Sequence, residues 1–260
     1  MNETSDPGNR PPADAARPLS GLSARYLTAC DRLVEETVSA NAKALRAVGE
    51  AIGQSLAQGG VLHVFGSGHS GIVAREIVHR AGGLVPVSAI VDPGGGWAEV
   101  VPGYGGKLFE RYAWQFGFQP GEVAIVISNS GKNPSPVEIA LGAKAAGGTV
   151  AAVTSLPMSE TTASAHPSGK RLFEIADHVL DNRTPPGDAA LPVGNSGLKT
   201  APLSTVSGCL LLNLAVLEAI AWMEAAGHEP PLLRSVNLPG GREHNNRLSE
   251  KYRGRLSRPL

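Results

Sequence analysis

From Leu22 to Ala57, apolar residues at Leu27, Val34, Val38, Leu45, Val48, Ile52 and Leu56 recur at intervals of three, four or seven. That spacing predicts one or two long amphipathic helices, ended by Gly59-Gly60. A helical hairpin ahead of a first strand caps a sheet or packs against a second subunit. The period then changes. Val61-Leu-His-Val-Phe65 is a short apolar run of strand length, and Ile72 to Ala81 returns to helical spacing. The exchange repeats. Leu84–Val91 predicts a second strand, Lys107–Phe118 a helix with Leu108, Tyr112 and Phe116 four apart, and Glu122–Ile127 a third strand. Val137–Ala146 predicts a helix with Pro134 and Pro136 near its first turn, where a missing donor costs little. Thr149–Val153 predicts a fourth strand, Leu172–Ala176 a short helical turn, and His178–Leu180 a fifth, edge-like strand. Asp181–Leu198 is rich in Pro and Gly and predicts irregular chain. Val206–Ala226 is an apolar helix for which Ser204 or Thr205 serves as N-cap. Strands alternating with helices favour a parallel, doubly wound sheet covered on both faces.

The ends read differently. Residues 1–20 hold Pro, Asn, Asp and Ala with almost nothing to bury, and predict a disordered tail. Residues 21–229 form the α/β domain with its N-terminal helices. Pro230-Pro231 opens a C-terminal extension, 230–260, with a basic helix at Leu248–Arg255. Its five arginines between Arg242 and Arg258 are interrupted by Glu243 and Glu250 and lack an aromatic platform. They predict a solvated face or an oligomer contact in preference to nucleic acid.

Composition narrows the function classes. Lys+Arg and Asp+Glu number 23 each, so no bulk field favours nucleic acid or an anionic membrane, and any anion binding is local. No uninterrupted apolar run spans a bilayer, and the N-terminus carries no apolar signal core. Cys30 and Cys209 have no metal-ligand spacing and read as small buried side chains in a reducing cytoplasm. No His/Asp/Glu cluster has ligand spacing either, so neither a metal nor another cofactor is expected.

Two loops carry the candidate chemistry. Gly66-Ser-Gly-His-Ser-Gly71 leads a strand through a tight turn into a helix start, where backbone N–H groups and the hydroxyls of Ser67 and Ser70 form an anion cradle. Gly66, Gly68 and Gly71 also satisfy the dinucleotide fingerprint, with Asp92 near the end of the next strand as ribose-binding acid. A turn without a ligand is the third reading. Ser128-Asn-Ser-Gly-Lys-Asn-Pro134 repeats the strand, hydroxyl loop and helix design one strand later, with Asn133 as an additional amide donor. Thr200-Ala-Pro-Leu-Ser-Thr-Val206 offers a third hydroxyl-bearing helix start, which can complete a ring of donors around one phosphate. A second nucleotide-binding half is missing, and the dinucleotide reading leaves Ser128–Gly131 without a role.

Together these loops resemble the paired signatures of the sugar isomerase (SIS) domain family. The fuller pattern, with Arg80-Ala-Gly-Gly83, Ser168-Gly-Lys170 and Pro239-Gly-Gly241, resembles an uncharacterised bacterial subgroup of it, over roughly residues 25–255. The resemblance implies a five-stranded parallel sheet between helices, homodimers or higher oligomers, and a phosphorylated sugar or amino sugar as ligand. By position, Ser70 matches the family's first phosphate-binding serine and Ser128 and Ser130 the second loop's pair. Gly66, Ser67, Gly68, His69, Asn129 and Asn133 complete the two cradles. Ser204 and Thr205 resemble the hydroxyl pair before the last long helix of relatives. No helix-turn-helix segment precedes the domain, so the family's sugar-sensing regulators fit poorly.

Aldose–ketose isomerisation needs a base that moves a proton between adjacent carbons and groups that shuttle hydroxyl protons and open the ring. Glu99 is the first candidate base, because some relatives carry a glutamate in the loop after the second strand. Glu76 and His79 follow the first cradle by six and nine residues from Ser70, and His244 reaches a partner's crevice if the tail crosses a dimer. A lyase or etherase uses much the same proton abstraction, and a binding module converts nothing.

Overall fold

The computed structural model describes residues 19–257, so the expected tail lies almost wholly outside the described residues. The chain runs from α1 (Gly21–Ala57) through β1 (Leu62–Gly66), α2 (His69–Arg75), β2 (Val87–Ile90), α3 (Tyr104–Phe116), β3 (Val123–Ile127), α4 (Pro134–Ala145), β4 (Thr149–Thr154), the single turn α5 (Leu156–Ser159) and β5 (His178–Asp181). A hairpin, β6 (Ala189–Pro192) and β7 (Lys199–Pro202), precedes α6 (Ser204–Ala225) and α7 (Gly241–Glu250).

The five main strands form one parallel sheet in the order β2-β1-β3-β4-β5. The central strands β1, β3 and β4 are buried on both faces, which is why they read as near-continuous apolar runs. Alternate residues serve alternate layers. Leu62, Val64, Ile125 and Val153 pack with α1, α2 and α6, while Phe65, Ala124, Val126 and Ala152 pack with α3 and α4. The direction of winding reverses between β1 and β3, and that opens a crevice beyond their carboxyl ends.

The N-terminal region is a single helix of 37 residues, so there is no hairpin ahead of the sheet. Its two internal glycines admit a neighbour instead of breaking it. A Cβ on Gly49 would lie 2.3 Å from Cβ of Glu218, and one on Gly53 2.6 Å from the Trp222 ring. Helix α6 therefore lies directly against α1, with Leu211, Leu212, Ala215 and Ala219 fully buried. By length and apolarity alone α6 is long enough to cross a membrane, although no uninterrupted apolar run was expected to be; here one face of it packs against α1 while Leu217 stays exposed. Buried Asn41 closes the far edge of the sheet: its amide donates to Asp181 O at 2.7 Å and its Oδ1 accepts from Asp181 N at 2.8 Å.

Other expectations are corrected. Helix α2 stops at Arg75 and does not continue to Ala81, because the chain turns to pair with the extension. Gly82 N donates to Leu233 O and Leu233 N to Gly83 O, both at 2.8 Å. Asp181–Leu198 is not wholly irregular, since it holds β6. The last helix is Gly241–Glu250, ahead of the expected Leu248–Arg255. The extension follows the outer edge of β2, where Ala89 N donates to Ser257 O at 3.1 Å and Ser257 N to Ser88 Oγ at 2.8 Å. That covers an edge strand's unpaired groups.

Candidate functional site

Both hydroxyl loops leave the same end of adjacent parallel strands, with Gly66 in register with Ile127. In the first loop Gly66 is obligatory, because a Cβ there would sit 2.2 Å from Ser70 O. Gly68 takes φ 55°, a left-handed conformation that only glycine adopts without strain. The two serines of this loop differ. Ser67 is buried and donates to Asp92 Oδ2 at 2.6 Å, whereas the Ser70 hydroxyl has no acceptor among the described residues. With only seven residues, α2 contributes little axial dipole, less than the longer predicted helix implied.

Asp92 also accepts from Gly94 N and Gly96 N, each at 2.9 Å, and from Tyr104 Oη at 2.6 Å. Four donors use the four lone-pair sites of a carboxylate, leaving none for a ribose. Burial pushes its pKa up, but the bonds from Ser67, Tyr104, Gly94 and Gly96 outweigh it and hold Asp92 below its ordinary value. This knot fixes the glycine-rich loop after β2.

In the second loop Ser128 Oγ accepts from Gly131 N at 3.2 Å, which leaves its proton without an acceptor among the described residues. Ser130 Oγ and the backbone N–H groups of Ser130 and Lys132 likewise have no partner there. Helix α4 then starts with Pro134 at a position needing no donor. Asn133 turns to the neighbouring loop, donating to Glu99 Oε1 at 2.6 Å, and Ser135 N donates to Glu99 O at 3.0 Å. Glu99 is thereby held, half-buried, against the start of α4. Glu138 supports the arrangement by accepting from Gly103 N at 2.5 Å and Gly106 N at 2.9 Å, with His166 Nε2 3.7 Å away.

The third hydroxyl-bearing segment behaves otherwise. Ser204 does not cap α6; the N-cap is Leu203, and the capping group is the Asp188 carboxylate. It accepts from Leu203 N at 3.0 Å, Ser204 N at 2.8 Å and Ser204 Oγ at 2.6 Å. Thr205 is exposed. A cavity of about 160 Å³ opens between the loops, lined by His69, Ser70, Asn129, Asn182, Asp188 and Ser204. Asn129 Oδ1 accepts from Asn182 Nδ2 at 2.8 Å and from Thr184 Oγ1 at 3.0 Å, which fixes both amides.

The remaining catalytic candidates lie apart from this cavity. Glu76 pairs with Arg80 and accepts from Asn213 Nδ2 of α6 at 3.2 Å. His79 is exposed in the turn after α2, with φ 51°. His244 bonds Leu232 O at 2.9 Å within the extension and lies with Gly59 and Gly82, which puts it at the end of the sheet where strands begin. Asp188, Asn182 and Glu138 were missed, because nothing local in the sequence marks a carboxylate that caps a helix 16 residues on.

Residues 25–155 match the SIS domain family model. The UPF0309 protein lmo0025 of Listeria monocytogenes is 39% identical over 86% of this chain and 94% of its own, and a UPF0309 protein of Geobacillus thermodenitrificans is 39% identical over 82% and 87%. Among solved structures, phosphoheptose isomerase GmhA from Neisseria gonorrhoeae superposes with TM-score 0.52 at 16% identity, covering 77% of this chain and 97% of that one. A phosphoheptose isomerase from Francisella tularensis gives 0.51 at 19% identity, over 76% and 100%. Vibrio vulnificus NanR complexed with ManNAc-6P gives 0.50 at 15%, over 89% and 68%. The five-stranded sheet is thus the fold of these proteins, and the chain belongs to the SIS domain family, within its UPF0309 group.

Proposed function

We propose that the protein binds a phosphorylated sugar and interconverts its aldose and ketose forms. The observation that carries this reading is the sorting of hydroxyls. Ser67 and Ser204 are committed to internal carboxylates, whereas Ser70, Ser128 and Ser130 present uncommitted protons, with the Ser130 and Lys132 amides beside them. Neutral donors at the carboxyl ends of neighbouring strands suit a monoester dianion. His69 and Asn129 line a cavity together with Ser70. Phosphoheptose isomerases and a ManNAc-6P-bound protein of this fold support the ligand class.

Glu99 is the base in this reading. Its carboxylate takes the proton from the carbon next to the carbonyl, giving an enediolate, and returns it to the former carbonyl carbon as the hydroxyl proton moves to the former carbonyl oxygen. Exposed Leu22, Leu27, Val34 and Val38 on α1 and Leu217 on α6 support a homo-oligomer.

A thermal-shift panel tests the reading, using hexose and pentose phosphates, their unphosphorylated parents and NAD. A ligand at 100 times its Kd contributes about 2.7 kcal/mol to stability. Phosphorylated sugars are expected to raise Tm by several degrees and their parents not to. The Ser128→Ala, Ser130→Ala double variant is expected to lose that shift while keeping its unliganded Tm within about 2 °C, since these hydroxyls hold little of the fold. Stabilisation by NAD alone, or an unchanged shift in the double variant, overturns the assignment.

A further inference from the structure

We infer that the cavity at the amino end of the sheet is a second ligand site, one that takes an organic anion with a carboxylate or phosphate head on an apolar body. The cavity measures about 680 Å³, a size typical of small-molecule sites. It lies between the end of α1, the turn after α2, the end of α6 and the C-terminal extension. Gly59 and Gly82 on its wall stand ahead of β1 and β2, whereas both hydroxyl loops leave the carboxyl ends of β1 and β3. In a parallel sheet these are opposite ends, so an occupant here is not the phosphosugar of the crevice.

The floor is apolar and carries one unanswered donor. Leu56, Met223 and Leu233 are buried and line it. Tyr252 lines it too, only 9% exposed, and its hydroxyl has no hydrogen-bond partner among the described residues. A tyrosine so deeply placed ordinarily satisfies its O–H, and an acceptor on a ligand would satisfy this one. The rim supplies charge. Arg234 and Lys251 are exposed there and enter none of the ion pairs among the described residues, while Glu229 is the one acid on the wall. The wall is also preformed. Arg234 N donates to Asn245 Oδ1 and its carbonyl accepts from Asn245 Nδ2, both at 2.8 Å, and Leu233 is paired to Gly82 and Gly83. A neutral apolar ligand leaves Arg234, Lys251 and Tyr252 without partners, and inorganic phosphate leaves the floor wet. A ligand with both parts uses the whole wall.

The probe is the dye anilinonaphthalene sulfonate, an anionic head on an aromatic body, titrated by fluorescence into the folded full-length protein at pH 7. One equivalent is expected to bind per chain. The Arg234→Ala, Lys251→Ala double variant is expected to weaken binding at least tenfold, since it removes two charged donors. Tyr252→Phe is expected to weaken it at least threefold with Tm unchanged, because the hydroxyl holds nothing in the unliganded fold. Decanoate and phenyl phosphate are then added as competitors. Displacement by decanoate assigns an acyl body and displacement by phenyl phosphate an aromatic one, and either bears out the class. No saturable binding, displacement by neither competitor, or binding that either variant leaves unchanged overturns the inference; the last is the result if the dye coats the exposed Leu22 and Leu27 of α1 instead. Displacement by glucose 6-phosphate would put the dye in the crevice, overturning the second site and leaving phosphosugar binding standing.

Discussion

Replacing Glu122 with alanine is expected to lower the unfolding free energy by about 3–5 kcal/mol, the effect of removing one partner from a buried charge network. The carboxylate, 2% exposed, takes four donors: Arg255 Nη2 at 2.6 Å, Gln119 N at 2.7 Å, Val61 N at 2.9 Å and His63 Nε2 at 2.9 Å. Behind it, fully buried His63 bonds Tyr112 Oη at 2.6 Å, which in turn lies 2.6 Å from Ser88 Oγ. Arg255 also donates to Phe116 O at 2.9 Å, so the network pins the extension to the sheet and to α3. Urea denaturation at pH 7 measures the loss, with Glu122→Gln expected to lose less because it keeps one acceptor. A loss below about 1 kcal/mol in the alanine variant would show that the extension is held by its apolar contacts alone.

The same network sets the acid limit of the fold. Burial raises the Glu122 pKa, but His63, the Gln119 amide and Arg255 overcome it and bring it down to about 2 from 4.5. A depressed carboxylate pKa contributes stability that is complete above about 4.5 and lost as pH falls toward 2, worth about 3 kcal/mol at 1.36 kcal/mol per unit. Burial also pushes His63 below its ordinary 6.5, against the pull of Glu122. The unfolded chain then binds that proton first, so stability declines from pH 6.5 downward as well. Both act in one direction, and acidification is expected to weaken the protein continuously.

How much of this was legible in the sequence depended on whether the deciding partner is near in the chain. The strands and their parallel arrangement follow from runs such as Val61–Phe65 and Glu122–Ile127, because burial on both faces demands apolar residues throughout. Both hydroxyl loops were visible for the same local reason. Which serines stay available was not. Ser67 resembles Ser70 and Ser204 resembles Ser130 until Asp92, 25 residues away, and Asp188, 16 residues away, are folded against them. Helix α2 shows the same limit. Its helical spacing runs on to Ala81, yet pairing of Gly82 and Gly83 with Leu233 turns the chain earlier. Arg255 read as a solvated charge because its acceptor, Glu122, lies 133 residues back.

Glu99→Gln is expected to reduce turnover by about 10²- to 10⁴-fold, the range that a positioned proton-transfer group contributes. Its effect should be confined to chemistry. Glutamine retains an Oε1 that accepts from Asn133 Nδ2, and the backbone bond from Ser135 N to residue 99 does not involve the side chain. The loop therefore keeps its position, and so does the second hydroxyl loop that Asn133 belongs to. Only the ability to take a proton is lost. Solvent exchange reads that step without requiring the overall equilibrium to favour either sugar: in D₂O, the carbon next to the carbonyl of a bound sugar phosphate gains deuterium whenever the base removes its proton. The unaltered protein is expected to label that carbon, and Glu99→Gln to label it at least a hundredfold more slowly with Kd within threefold. If labelling continues at the normal rate, Glu99 is a positioning residue for Asn133 and the base lies elsewhere in the crevice.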